Sequence, residues 1–105
     1  MSNVVVVLST VPDDQSAETI ARALVDEKLA ACVNVLPPML SIYRWKGGVE
    51  RDTERQIVMK TTSERVAALE KRLAELHSYE LPEFIVLHAG GGSEAYLEWV
   101  GKSLK

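Results

Sequence analysis

The sequence has little of what marks several large classes of protein. Its 105 residues include one cysteine, so there is no internal disulfide and no cysteine pair to suggest a zinc site. The net charge of -3 leaves no global basic field for a nucleic acid or an anionic membrane. The longest apolar run, Val4 to Leu8, is too short to cross a bilayer, and no basic segment precedes it as in a secretory signal. We therefore expect a cytoplasmic protein with neither nucleic acid nor membrane as a partner.

The hydrophobic content of 47% is enough for one core, so residues 1–105 are predicted to form a single domain. Val4 to Leu8 is apolar at every position, which predicts a central strand covered on both faces. A helical stripe of apolar residues then extends to about Ala30. The extended pattern from Ala31 to Trp45 is interrupted by Pro37-Pro38, which predicts a kinked strand at the edge of a sheet.

The second half of the chain repeats the alternation of strand and helix. Gly47-Gly48 predicts a tight two-residue turn, and a third strand follows up to Thr62. Thr61 and Glu64 have the spacing of a capping box for a helix that ends near His77. A fourth strand over 84–89 and a last helix over 93–104 complete the chain. This order predicts an α+β fold, a ferredoxin-like βαββαβ sandwich with a C-terminal helix, whose first and third strands are central.

The predicted hairpin between the second and third strands is too long and too polar to be stable alone. Alternation places Ser41, Tyr43 and Trp45 on one face, where the aromatic rings need cover. We expect that cover to come from another copy of the chain. The acidic and basic residues that alternate along the ribbon predict a solvated, salt-bridged surface.

Four positions carry the candidate chemistry. Cys32 is either a small buried hydrophobe or a soft thiolate ligand for a metal such as copper. His77 at a helix end is either a capping cation or a metal ligand. Lys60, on a central strand, should either pair with an acidic group, for which residues 80–83 are candidates, or face a cleft, and Tyr79 adds a phenol beside those residues. No catalytic signature and no organic cofactor site is evident, so we expect a protein that is not an enzyme.

Read together, several segments resemble the CutA family of divalent-cation-tolerance proteins. They are Val4 to Pro12, Leu29 to Asn34, Ser41 to Gly47, Lys60 to Thr62, His77 to Glu83, and Tyr96 to Trp99. The resemblance implies a ferredoxin-like subunit, a homotrimer built like the PII-type signal proteins, and an association with copper or another divalent metal.

The chain departs from the family pattern at sites that matter for metal binding. Ser78 stands where the family usually has proline, and the copper donors attributed to some members correspond here to Ser9, Leu76 and His77. One of the three donors remains, so that site should be absent or weakened. We expect a homotrimeric divalent-cation-tolerance protein that binds copper weakly, with Cys32 and His77 as ligands.

The alternative is a PII-like regulatory module that binds a small molecule between subunits. Its ligand, organic or anionic, would lie near Trp45, Lys60, Tyr79 and Glu83.

Overall fold

A computed structural model describes residues 3–105 and shows the predicted order of strands and helices. The elements are β1 (Val4–Pro12), α1 (Ser16–Asp26), β2 (Cys32–Val35), β3 (Met39–Trp45), β4 (Gly48–Thr62), α2 (Val66–Leu76), β5 (Ile85–His88) and α3 (Glu94–Ser103), with a 3₁₀ turn at Ser63–Arg65 before α2. The α+β, ferredoxin-like prediction is confirmed, including the C-terminal helix and the long hairpin of β3 and β4.

The described strands form one antiparallel sheet in the order β2-β4-β1-β5, and β3 pairs with the distal part of β4. The first and third predicted strands are therefore central, as expected. The predicted second strand is divided in two. Pro37 and Pro38 lie between β2 and β3, and both pieces pair with β4, because proline has no N–H to donate to a continuous ladder.

One face of the sheet is covered by α1 and α2. Its core side chains come from β1, β4 and the two helices: Val5, Val7, Val11, Ile57, Met59, Ile20, Leu24, Leu69 and Leu73. The opposite face, which we call the open face, has only partial cover within the subunit. Val6 and Leu8 are half-buried there, and Ile85 and Leu87 are both 49% exposed. The prediction that β1 is covered on both faces is therefore wrong for one subunit.

The predicted end of the second helix near His77 and the predicted last helix agree with the structure, whereas the end of the first helix and the capping box need correction. The first helix ends at Asp26 because Lys28 has a φ of 59° and the N–H of Leu29 turns back to the carbonyl of Leu24 at 2.9 Å. The predicted capping box does not form. The hydroxyl of Thr61 donates instead to the carbonyl of Leu29 at 2.7 Å, and Glu64 accepts from Asn3.

The hairpin turn lies one residue before its predicted position. Trp45 pairs with Gly48, so the two turn residues are Lys46 and Gly47, with φ values of 48° and 82°. Positive φ at both positions is the requirement of a type I′ turn, whose twist matches that of the strands. Gly48 belongs to β4, and Lys46 adopts a left-handed conformation that costs a non-glycine residue free energy.

Candidate functional site: an acidic and aromatic cleft on the open face

A cleft of about 1100 Å³ lies on the open face, between the β3–β4 hairpin and the loop that joins α2 to β5. The hairpin contributes Tyr43, Trp45 and Glu54, and the loop contributes Tyr79 and Glu83. The hairpin residues share one face because side chains alternate along a strand, and their face is the one to which the loop crosses. The topology thus brings two segments far apart in sequence to one surface.

Tyr79 and Glu54 connect the two walls of the cleft. The phenol of Tyr79 donates a hydrogen bond of 2.6 Å to Oε2 of Glu54, whose residue is 6% exposed. Burial is the largest cause that raises the pKa of Tyr79 well above its ordinary value, and the hydrogen bond to the carboxylate of Glu54 is the second. Tyr79 therefore stays protonated and remains a donor throughout the physiological pH range.

Tyr43 and Asp52 form a second pair of the same kind, nearer the hairpin turn. The phenol of Tyr43 donates to the carboxylate of Asp52, which raises the pKa of Tyr43 to about 12. The predicted salt bridges along the ribbon are not found among residues 3–105. Asp52 and Glu54 accept from tyrosines, and Arg55 donates to the carbonyl of Leu36, because acidic and basic side chains point to opposite faces of β4.

Glu83 is held at the floor of the cleft by neutral donors. Its Oε1 accepts from the hydroxyl of Thr10 at 3.0 Å, and its Oε2 accepts from the amide of Gln56 at 2.9 Å. Thr10 and Gln56 are cross-strand partners in β1 and β4, so the sheet register itself orients this carboxylate. Glu83 forms none of the ion pairs found within residues 3–105.

Trp45 lies at the mouth of the cleft. The ammonium group of Lys46 stands 5.6 Å from the centre of its ring and 3.4 Å from a carboxylate oxygen of Glu80. The face of the Trp45 ring is therefore accessible to a cation at this position.

Three of the four residues predicted to bind a ligand meet in this cleft, and Lys60 does not. Trp45, Tyr79 and Glu83 are among the lining residues. Lys60 lies further along β4, where its ammonium group donates to Asn34. The expected acidic partner in residues 80–83 is replaced by this neutral amide.

The two predicted metal ligands are not brought together within one subunit. Cys32 pairs with Lys60, whereas His77 contacts Thr10, which pairs with Gln56. Four residues of β4 separate these two levels of the sheet, which is roughly 13 Å at the rise of a strand. Cys32 is half-buried on the open face, 3.8 Å from the side-chain oxygen of Asn34, rather than a core hydrophobe.

His77 is buried and both of its ring nitrogens have partners. Nδ1 accepts from the N–H of Tyr79 at 3.1 Å, so the proton is on Nε2, which donates to the carbonyl of Thr10 at 2.8 Å. The predicted role as a capping cation is wrong, because the ring binds β1 instead of the last carbonyls of α2. A metal ion at His77 would have to displace one of these hydrogen bonds.

The sequence reasoning missed Glu54 and Gln56. Glu50, Asp52 and Glu54 occur at every second position of β4, which is the signal of one acidic strand face. This alternation is visible in the sequence, but the burial of Glu54 depends on the path of the loop after α2. No local pattern predicts where that loop crosses.

The cleft can bind a ligand by hydrogen bonds to carboxylates and by contact with aromatic rings. Within residues 3–105, no group of three or more histidine, cysteine or acidic side chains is arranged to hold a metal ion. Over the same residues, no helix has the length and apolar character needed to span a membrane.

Comparison with known proteins gives one consistent family. The model of the CutA1 divalent ion tolerance protein family matches residues 5–103. The divalent-cation tolerance protein CutA of Thermus thermophilus is 47% identical over 95 residues, which are 90% of this chain and 92% of that protein. The chloroplastic protein CutA of Arabidopsis thaliana is 40% identical over 101 residues, which are 96% of this chain but 56% of that protein.

The solved structures agree with this result. The crystal structure of CutA from Xylella fastidiosa superposes with a TM-score of 0.95 at 44% identity, over 99% of this chain and 100% of that one. The chain belongs to the CutA1 divalent ion tolerance protein family.

Proposed function

We propose that the protein acts in tolerance of divalent metal ions, as a CutA-type protein. The observation that carries this proposal is the family match over residues 5–103 together with the full-length relatives. The test is growth of a deletion strain on graded copper, with the wild-type gene returned on a plasmid. The deletion should lower the tolerated copper concentration and the plasmid should restore it. Equal growth of the two strains would contradict the proposal.

We propose that the protein works by binding rather than by catalysis. Its two cleft tyrosines hold their protons more tightly than ordinary phenols, since their pKa values are raised. A phenol of that kind is poorly matched to general acid or base catalysis near neutral pH. Mass spectrometry of any ligand found in the cleft tests this proposal. Chemical conversion of that ligand by the protein would contradict it.

A homotrimer is the proposed assembly. The open face exposes Ile85 and Leu87, and the outer side of the hairpin exposes Leu40, Ile42 and Val49 at 54%, 65% and 66%. Exposed apolar side chains on both sides of the sheet are typical of surfaces that bind another protein chain. Copies of the same chain would bury these side chains and would also stabilise a hairpin that is marginal alone.

Weak copper binding through Cys32 and His77 is the proposed metal chemistry. Because the two residues lie far apart within a subunit, they would act as separate weak sites or combine with donors from a neighbour. Calorimetric titration should show copper binding that Cys32→Ala and His77→Ala together reduce, whereas His88→Ala, at the exposed second histidine, has no effect. Binding should also weaken below about pH 6, since a protonated imidazole cannot ligate. Unchanged binding in the double variant would overturn this assignment.

The cytoplasm is the proposed location, on the composition of the chain. A single cysteine, which cannot form an internal disulfide, is compatible with a reducing compartment. Fractionation of tagged protein, with marker proteins for each compartment, tests this proposal. Recovery outside the cytoplasmic fraction would contradict it.

A second candidate function is that of a PII-like regulatory module that binds a small molecule in the cleft. The observation in its favour is that Trp45, Tyr79 and Glu83 line one cleft of ligand size. A thermal-shift screen of metabolites tests it. A true ligand should lose its effect in Trp45→Ala and keep it in Lys60→Ala, because Lys60 lies outside the lining. The absence of any stabilising metabolite would count against this function.

A further inference from the structure

The charges that line the cleft are all of one sign. Three carboxylates, those of Glu54, Glu80 and Glu83, contribute to the lining, and no lysine or arginine does. The nearest cation is Lys46 at the mouth, 3.4 Å from Glu80. A concave surface with charges of one sign concentrates ions of the opposite sign.

The charge of Glu54 is not neutralised by a basic side chain within the described residues. The residue is 6% exposed, yet none of the ion pairs among residues 3–105 includes it. Its Oε2 accepts from Tyr79, whereas its Oε1 has no hydrogen-bond partner within the described part of the chain. Among the described residues, the hydroxyl of Ser9 is the only side-chain polar atom that is both buried and without a partner, so Oε1 of Glu54 is open to the cleft and can accept a hydrogen bond from a ligand there.

The carboxylate of Glu83 is also held in position by hydrogen bonds. Thr10 and Gln56 fix both of its oxygens with neutral hydrogen bonds, which orient the carboxylate without cancelling its charge. The site therefore offers two carboxylates held in place before any ligand arrives.

The other walls are apolar and aromatic. Trp45, Tyr79 and Phe84 line the cleft together with Leu81 and Pro82. A bare metal ion would gain nothing from these walls, whereas an organic cation would bury its apolar part against them and present its charge to the carboxylates.

We propose that the ligand of the cleft is an organic cation, with an ammonium or guanidinium group that binds Glu54 and Glu83 and an apolar part that contacts Trp45 and Tyr79. This inference rests on the second candidate function and deepens it by naming the class of ligand. The proposed ligand is positively charged, whereas the sequence also allowed an anionic ligand.

The test uses three probes of nearly equal shape and different charge: phenethylamine, phenethyl alcohol and phenylacetate. Binding to the purified full-length protein is followed by tryptophan fluorescence and by calorimetry. Phenethylamine should bind most tightly, and phenylacetate should not bind. Glu54→Gln and Glu83→Gln should each weaken phenethylamine at least about tenfold, since each removes a charge-assisted hydrogen bond and keeps the shape.

Two further variants control for folding and for overall charge. Glu94→Gln changes the net charge equally, but at the exposed start of α3, and should leave binding unchanged. Lys46→Met removes the competing cation at the mouth and should tighten phenethylamine binding.

The outcomes separate this inference from the function on which it rests. Tighter binding of phenylacetate than of phenethylamine would overturn the inference and leave a ligand-binding cleft. Binding of none of the probes would count against both. If Glu54→Gln and Glu83→Gln instead dissociate the assembly while phenethylamine binding is absent, the cation is a basic side chain of another copy, which also overturns the inference.

Discussion

Tyr79 donates a 2.6 Å hydrogen bond to Glu54 across the cleft, and this contact joins the loop after α2 to the hairpin. The two segments have no strand pairing between them, and the other polar contacts that join the loop to β4 and its turn are the hydrogen bond from Gln56 to Glu83 and the exposed ion pair of Lys46 with Glu80. The cleft and the stability of the subunit therefore depend on the same pair of residues.

Removal of that phenol should destabilise the protein. In Tyr79→Phe, Glu54 would remain buried without its one donor, which should lower the free energy of unfolding by about 1–2 kcal/mol. Tyr43→Phe is the matched control, because its partner Asp52 is exposed and can bind water instead. Urea denaturation of both variants measures the difference. An equal loss of unfolding free energy in the two variants would show that the hydrogen bond to the buried Glu54 stabilises the protein no more than the one to the exposed Asp52.

The ionisation of Tyr43 gives a test by pH. The protonated phenol is the form that the fold favours, so this contribution is complete below the unfolded pKa of 10.0 and is lost as pH rises through about 12. Asp52→Asn removes the charge that opposes ionisation and should lower the pKa of Tyr43 towards its ordinary value. Tyrosinate absorbance, recorded with Tyr79 and Tyr96 both replaced by phenylalanine, isolates this group. An unchanged titration would rule out Asp52 as the cause.

The geometry of the hairpin turn predicts unequal effects of the same substitution at two neighbouring glycines. Gly47 has a φ of 82°, so Gly47→Ala should destabilise the hairpin by about 1–2 kcal/mol. Gly48→Ala should be nearly neutral, because an added Cβ meets its nearest atoms at an ordinary 3.9 Å and its φ is not positive. Hydrogen exchange of the β3 and β4 amides measures this local effect. Greater damage from Gly48→Ala would contradict the turn at Lys46 and Gly47.

Ser9 and Thr61 offer a matched pair of buried hydroxyls. Both residues are 0% exposed, but Oγ of Ser9 has no hydrogen-bond partner in the described structure, whereas Thr61 donates to Leu29. Ser9→Ala should therefore raise the free energy of unfolding by about 1 kcal/mol, and Thr61→Val should lower it by a similar amount. Thermal denaturation compares the two. A loss of stability in Ser9→Ala would show that the Ser9 hydroxyl has a partner after all.

Much of the fold could be predicted from local patterns. The apolar run of β1, the proline pair before β3 and the helical stripes of α1 and α2 each indicate their elements without reference to distant residues. Helix ends were less predictable, because Thr61 bonds to Leu29 across the fold instead of capping its own helix. That choice depends on tertiary contacts, which no local spacing contains.

The site was predictable only in part, for the same reason. Trp45, Tyr79 and Glu83 are predictable, since aromatic and acidic residues near a turn and a loop are recognisable in sequence. The exclusion of Lys60 and the inclusion of Glu54 both depend on the sheet register and on the path of the loop over it.

Assembly is central to this protein, because the open face, the hairpin and the cleft all adjoin surface that one subunit leaves uncovered. Native mass spectrometry of the purified protein tests this most directly, with Leu87→Lys on the open face and Val25→Lys on the exposed side of α1 as its control. We predict three chains for the wild type and for Val25→Lys, and a single chain for Leu87→Lys. A wild-type protein that is a single chain, or a Leu87→Lys variant that still forms trimers, would contradict this prediction.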